Sequence, residues 1–183
     1  MKKIETPLDG AFIIEPQVFG DVRGWFYESY SKQKMHDIGI DVEFVQDNRS
    51  FSAQQGTLRG LHCQTSPMAQ TKLLTCLRGR IMDVAVDIRR GSPTYMQWTA
   101  VELSGENKKM FFIPKGFLHG FVTLTSDVEV SYKVDEYYAP ANDRSVKFND
   151  PDIGVDWGVK VPILSDKDMK APLLKDSDIE FIY

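Results

Sequence analysis

With 183 residues, 42% hydrophobic and 26% charged, the chain has an ordinary globular composition and enough length to bury a core as one domain, 1–183. Its net charge of -4 gives no basis for a nucleic-acid surface, although a local basic pocket for an anion remains compatible with it. No apolar run approaches the roughly 20 residues that cross a bilayer, and the charged start Met1-Lys2-Lys3 lacks the apolar core of a secretory signal. A cytoplasmic protein without a membrane partner is therefore expected.

Ala11–Pro16 and Phe19–Tyr30 read as two short extended pieces around a turn, the second rich in the aromatic residues that strands favour. Ser31–Ile38 is the best helix candidate, opening at an N-cap serine and stopping at Gly39. Val42–Asn48 reads as a strand that ends in the polar cluster Gln46–Ser50. Further strands are expected at Leu73–Leu77, Ile81–Ile88, Tyr95–Leu103, Lys109–Pro114, Gly116–Leu124 and Val128–Val134, with turn residues between them. The tail from Pro151 to Tyr183 is looser, with a short helical turn at Ser165–Asp168. Closely spaced strands and almost no helical periodicity argue for an all-β sandwich or barrel with a few short helices.

One stretch concentrates the chemistry. From Gly56 to Lys72 it carries Arg59, His62, Gln64 and Lys72, flanked by Gly56 and Gly60. If Gly60–Gln64 is extended, alternate side chains share a face, so His62 and Gln64 point the same way and Cys63 points away. That makes a Cys-His nucleophile pair a poor reading. The two cysteines, Cys63 and Cys76, match neither a disulfide framework nor a zinc spacing and are expected to be packed thiols.

Pro114-x-Gly116-x-x-His119 resembles the second motif of the cupins, small jelly-roll barrels with a pocket lined by inward-facing residues. Where metal-binding cupins carry His-x-His and then Glu in the first motif, this chain has His62-x-Gln64 and then Lys72. An ammonium has no lone pair for a metal, so a metal-free acid-base pocket is expected. Histidine is the side chain whose ordinary pKa, about 6.5, suits a general base near neutrality. Such a base removes a proton only from carbon already acidified by a neighbouring carbonyl, and the resulting enolate needs a cation at its oxygen. His62 is the candidate base, Lys72 the candidate enolate stabiliser, and Tyr132 the candidate acid on the opposite face.

A set of stretches in fixed order resembles the dTDP-4-dehydrorhamnose 3,5-epimerase family across nearly the whole chain. They include Phe19-Gly20-Asp21-x-Arg23-Gly24-x-Phe26-x-Glu28, Val45-Gln46-Asp47-Asn48, Leu58-Arg59-Gly60-Leu61-His62-x-Gln64, Asp83-Val84-Ala85-Val86-Asp87, Tyr132-Lys133 and Leu164-Ser165-x-Lys167-Asp168. The resemblance implies a cupin-type jelly roll, a homodimer, and no metal or organic cofactor. It implies a dTDP-4-keto-6-deoxy sugar as substrate, epimerised at C3 and C5 on the route to dTDP-L-rhamnose. On matching positions, His62 is the implied base, Asp168 the carboxylate that orients it, Tyr132 the acid and Lys72 the cation at the C4 oxygen. Arg23, Glu28, Gln46, Asn48, Arg59, His119, Asp143 and Lys167 match substrate-binding positions, and Tyr138 matches an aromatic that stacks on thymine. Cys63 stands where an aromatic is common, Asp143 where Glu is expected, and Gly158 where Pro is usual. Those departures leave room for a C3-only epimerase or a 3,4-ketoisomerase of a related sugar. A non-catalytic nucleotide-sugar-binding cupin and a metallo-cupin oxygenase complete the alternatives.

Overall fold

The structure is a computed structural model that describes residues Met1 to Tyr183. In chain order the strands are β1 (Lys2–Glu5), β2 (Phe12–Glu15), β3 (Val18–Asp21), β4 (Gly24–Tyr27), β5 (Gln46–Ser52), β6 (Leu58–Gln64), β7 (Lys72–Arg78) and β8 (Arg80–Asp87). There follow β9 (Arg89–Arg90), β10 (Trp98–Ser104), β11 (Met110–Ile113), β12 (Phe117–Thr123), β13 (Val128–Val134), β14 (Asp143–Ser145) and β15 (Phe181–Ile182). Two short helices, α1 (Lys32–Asp37) and α2 (Asp166–Met169), interrupt them.

Six strands form one antiparallel sheet in the order β1-β2-β11-β7-β13-β5, and five form a second in the order β10-β8-β12-β6-β14. The sheets close on a shared core of Leu74, Cys76, Phe111 and Val130 from the first and Ile81, Ala85, Leu103 and Phe121 from the second. This is the all-β jelly roll expected from the strand spacing and the motifs. Each fully buried aliphatic or aromatic side chain here contributes about 1.5–3 kcal/mol relative to exposure.

The outer faces are covered too. Residues after β14, among them Val146, Ile153 and Trp157, pack on Leu61, Cys63, Val86 and Leu118 of the second sheet. Met35 of α1 and Ile40 cover Phe12, Ile14, Leu73 and Met110 of the first. The helix begins as its sequence predicts, with Ser31 Oγ accepting from the Lys34 amide.

The strand expected at Tyr95–Leu103 starts only at Trp98, and two larger differences from expectation bear on the site. The strand expected at Val42–Asn48 instead runs from Gln46 to Ser52 and pairs along its length with β13. Val42 and Phe44 join the apolar cluster outside the first sheet, while the polar residues after them make an edge strand. The extended piece Phe19–Tyr30 contains a turn, so that β3 and β4 form their own two-stranded hairpin, separate from both sheets.

Candidate active site

The inward positions of the strands change character toward one end of the barrel. On β7, Cys76 and Leu74 lie in the core and Lys72 follows two residues on. On β13, Val128 and Val130 lie in the core, and Tyr132 packs against it. On β12, His119 stands between the core residues Phe117 and Phe121. The period of two that builds the core therefore also delivers these polar groups to its open end.

β6 reaches the same space by breaking that period. His62 pairs with His119 and Arg59 with Phe121, so three steps along β6 match two along β12. This bulge turns Arg59 to the same cavity as His62, although simple alternation puts them on opposite faces. Gly60 permits it, with a φ of 124° and a backbone so close to β12 that a Cβ would lie 2.6 Å from Gly120 Cα.

The resulting cavity of about 430 Å³ is lined by Arg59, His62, Lys72, His119, Tyr132, Lys167 and Asp168. A second lobe of about 300 Å³ shares His62, Lys72, Tyr132 and Lys167 and adds Gln46, Asn48, Tyr138 and Asp143. Three fixed cations, Arg59, Lys72 and Lys167, face a single carboxylate, Asp168, in the first lobe. An anionic ligand fits that balance.

His62 Nε2 lies 2.6 Å from Asp168 Oδ1, while Ser165 Oγ donates to Asp168 Oδ2 at 2.8 Å. Ser165 also caps α2 by accepting from the Asp168 amide, so the expected helical turn is what aims this carboxylate. Burial works to raise the Asp168 pKa, but the hydrogen bonds from His62 and Ser165 and the nearby Lys167 outweigh it and hold the carboxyl below its ordinary value. Asp168 is thus an anion at neutral pH, and Nδ1, the other ring nitrogen of His62, has no hydrogen-bond partner in the chain.

Lys72 is half-buried, and its ammonium has only a long contact of 3.4 Å to Gln70 Oε1 and a position 5.6 Å from the Tyr132 ring centre. Burial lowers its pKa. A half-buried ammonium so poorly partnered is poised for an anionic oxygen from a ligand. Burial raises the Tyr132 pKa, so that its hydroxyl keeps its proton at neutral pH.

Arg59 is held by Ser52 Oγ at 3.2 Å and the Phe51 carbonyl at 3.0 Å. Gln46 accepts from the Tyr138 amide at 3.2 Å and donates to Asn48 Oδ1 at 2.8 Å. Asp143 Oδ2 receives the Tyr138 hydroxyl at 3.1 Å and Lys167 Nζ at 2.5 Å, linking the aromatic and the cation at the second lobe. Gln64 shares the lobe, but its amide is spent on the backbone of Met68, Tyr137 and Ala139. Cys63 packs into the outer apolar cluster, and burial pushes its thiol up to about 12, leaving no thiolate to act beside His62.

Arg23 and Glu28 are not brought to this cavity within one chain. Arg23 pairs with Asp21 at the tip of the β3–β4 hairpin, and Glu28 pairs with Lys34 of α1. Sequence reasoning passed over Asp83 as a site residue. It is wholly buried on β8, with Oδ1 2.6 Å from His119 Nε2. The signal was an aspartate inside the apolar run Ile81–Ile88, which is costly unless the carboxylate has a partner. Asp87 on the same face is explained differently, by hydrogen bonds from Arg89, Ser92 and Thr94 that tie down a loop. No three His, Cys, Asp or Glu side chains cluster closely enough to hold a metal ion.

Comparison with known proteins follows the same lines. The family model for dTDP-4-dehydrorhamnose 3,5-epimerase matches residues 5–176. A dTDP-4-dehydrorhamnose 3,5-epimerase of Salmonella typhimurium is 50% identical over 173 residues, covering 93% of this chain and 94% of the relative. The crystal structure of a dTDP-4-dehydrorhamnose 3,5-epimerase from Bacillus anthracis, with TDP and PPi bound, superposes with a TM-score of 0.93. It is 50% identical and covers 94% of this chain and 99% of its own. A dTDP-6-deoxy-D-glucose-3,5-epimerase from Legionella pneumophila, in complex with dTDP-4-keto-L-rhamnose, gives 0.92 at 48% identity, covering 97% of this chain and 94% of its own.

Proposed function

This chain belongs to the dTDP-4-dehydrorhamnose 3,5-epimerase family, and from that premise we propose that it inverts C3 and C5 of dTDP-4-dehydro-6-deoxy-D-glucose to give dTDP-4-dehydro-L-rhamnose. It is an isomerase. The 4-keto group acidifies the hydrogens on both neighbouring carbons, so one base on one face serves C3 and C5 in turn after a ring adjustment. His62 takes each proton, and the Asp168 anion orients the imidazole and stabilises the imidazolium that forms. Lys72 meets the negative charge that develops on the C4 oxygen. Tyr132 returns a proton from the opposite face, which converts exchange into inversion. The substrate's own keto group is the electron sink, so the reaction calls on no cofactor.

Remote binding energy holds the sugar in place. Arg59 and Lys167 suit the diphosphate, and Tyr138 suits a stack on thymine, with Gln46, Asn48 and Asp143 completing the second lobe and His119 the wall of the first. The observation that carries the reading is the grouping of a carboxylate-backed imidazole, a protonated phenol and a poorly partnered ammonium around one cation-rich cavity.

The working unit in this reading is a homodimer. The β3–β4 hairpin exposes Phe19, Val22, Trp25 and Phe26, an apolar surface that favours burial against another chain. The hairpin of one copy brings Arg23 and Glu28 to the cavity of the other. Residues 1–183 act as one domain, in the cytoplasm.

Incubation with dTDP-4-keto-6-deoxyglucose in deuterated water, followed by NMR and mass analysis, tests the proposal. Deuterium at both C3 and C5 of an inverted product is expected. Label at C3 alone makes the protein a C3-only epimerase, and a keto group moved to C3 makes it a ketoisomerase. No label at either carbon removes proton abstraction altogether.

A further inference from the structure

Two imidazoles stand directly across from one another on β6 and β12, and each is held through Nε2 by a carboxylate at 2.6 Å. The pairs look alike but their carboxylates do not. Asp168 has both oxygens satisfied, one by His62 and the other by the Ser165 hydroxyl. Asp83 has no exposed surface at all, and its Oδ2 has no hydrogen-bond partner. Core residues Ile81 and Ala85 flank it on the inward face of β8. A buried carboxylate with one unpartnered oxygen is poorly placed to be a bare anion, because no group of the protein donates to that oxygen.

The number of protons on each pair decides what its imidazole offers the cavity. With one proton, the carboxylate is ionised, Nε2 donates to it, and Nδ1 is a free acceptor. With two protons, Nδ1 carries hydrogen, whether the second proton sits on the carboxyl or on Nε2 between the two groups. The first state makes a base and the second makes a hydrogen-bond donor.

We propose that Asp83 is a positioning residue that makes His119 a donor rather than a second base, the His119–Asp83 pair holding one proton more than the His62–Asp168 pair. Burial raises the Asp83 pKa and the neighbouring His119 and Lys72 only partly offset it, while the hydrogen bonds to Asp168 bring that carboxyl below its ordinary value. The other titratable and charged groups around the pair are Lys72 and Cys76 on β7, Arg59 and His62 on β6, and Tyr132 on β13. Lys72 and Arg59 are cations, but neither is hydrogen-bonded to Asp83. A proton shared within the pair is the remaining way to neutralise it. The assignment of what His119 donates to, a sugar oxygen beside the reacting carbons, rests on the epimerase reading. The proton count itself does not.

The chain has three histidines, His36, His62 and His119, so a protein labelled with [15N]histidine gives a spectrum that single substitutions assign. At neutral pH, without ligand, the His119 Nδ1 resonance is expected at a protonated-nitrogen shift and that of His62 at an unprotonated one. An unprotonated Nδ1 on His119 overturns the proposal, even in an enzyme that epimerises normally. Asp83→Leu, which offers Nε2 neither a proton nor an acceptor, should leave His119 with a single ring proton, ordinarily on Nε2, so that Nδ1 moves to an unprotonated shift. It should slow deuterium incorporation roughly 10²-fold, as loss of one preorganised donor does, with KM within about threefold. A destabilised but active variant with His119 Nδ1 still protonated shows Asp83 to be structural only. If Asp83→Leu fails to fold, the wild-type spectrum decides alone. If wild-type protein incorporates no deuterium, the function fails while the spectrum still reports the pair.

Discussion

The cavity and the β3–β4 hairpin invert the usual partition of residues in opposite ways. In the cavity, charged groups are taken out of water: Asp83 and Asp168 are buried, and Lys72 lies among the inward-facing positions. On the hairpin, aromatic residues are left in water, with Phe26 66% and Trp25 61% exposed. Both arrangements cost stability in an isolated chain. The difference between them is what repays the cost. In the proposed reading, buried charge is compensated by a reacting ligand and exposed aromatic surface by a second copy of the chain. On that reading the proposed proton-transfer groups meet within one chain, whereas Arg23 and Glu28 of the proposed binding surface lie away from the cavity.

If that division holds, substitutions in the cavity strike the chemistry itself. His62→Ala should lower deuterium incorporation by about 10²–10⁴-fold, the range for a positioned general base. Lys72→Met should lower it by about 10²–10³-fold through loss of the enolate's cation. In both, binding of dTDP measured by calorimetry is expected to change far less than the rate. A collapse of dTDP affinity in step with the rate would falsify the assignment of these groups to proton transfer.

Tyr132→Phe separates two steps that the other variants stop together. The base and the enolate stabiliser remain, so deuterium should still enter C3 and C5 within about tenfold of the wild-type rate. Protonation from the opposite face is lost, so inversion should fall about 10²-fold or more. Inversion at the wild-type rate in this variant removes Tyr132 from its role.

Alkaline pH reaches the same comparison through titration. Burial lowers the Lys72 pKa from its ordinary 10.5 and raises that of Tyr132 from 10.0. The alkaline limb of exchange set by loss of the Lys72 proton should therefore lie below 10.5, and loss of the Tyr132 proton should come only above 10.0. Stability moves the other way. The unfolded chain binds more protons at Lys72 than the folded one between the two pKa values, so folding gains from this group as pH rises through that window. Below the folded pKa the buried charge is fully unfavourable. Lys72→Met should therefore be more stable than wild type at neutral pH, with a gap in urea midpoint that narrows on the alkaline side. A gap independent of pH shows that Lys72 is not strained by burial.

Much of this was legible in the sequence because alternation along a strand is a local property. Lys72 and Tyr132 follow apolar inward positions at a spacing of two, and Ser165 marks the cap that presents Asp168. What sequence alone hid was non-local. The bulge at Gly60 depends on the approach of Gly120 from β12, so nothing within Arg59–His62 announces that both side chains meet one cavity. β5 is defined by its pairing to β13, since its polar residues carry no apolar pattern to mark a strand. Asp83 showed a partner was needed without showing that His119 is the partner, 36 residues away.

The hairpin supplies the smallest expected effect on chemistry and the sharpest test of the division. Trp25 and Phe26 touch none of the proton-transfer groups, and the Trp25 ring is held within its own chain by the Lys108 ammonium at 3.8 Å. Replacing both with Ser keeps the strand pairing of β3 and β4, which is carried by backbone hydrogen bonds. The double variant should sediment as a monomer and raise KM by tenfold or more. At saturating substrate its exchange rate should stay within about threefold of wild type, because His62, Asp168, Lys72 and Tyr132 are untouched. A dimer with unchanged KM removes the hairpin from the interface. A monomer whose rate at saturation falls as far as that of His62→Ala shows that the second chain completes the chemistry as well as the binding.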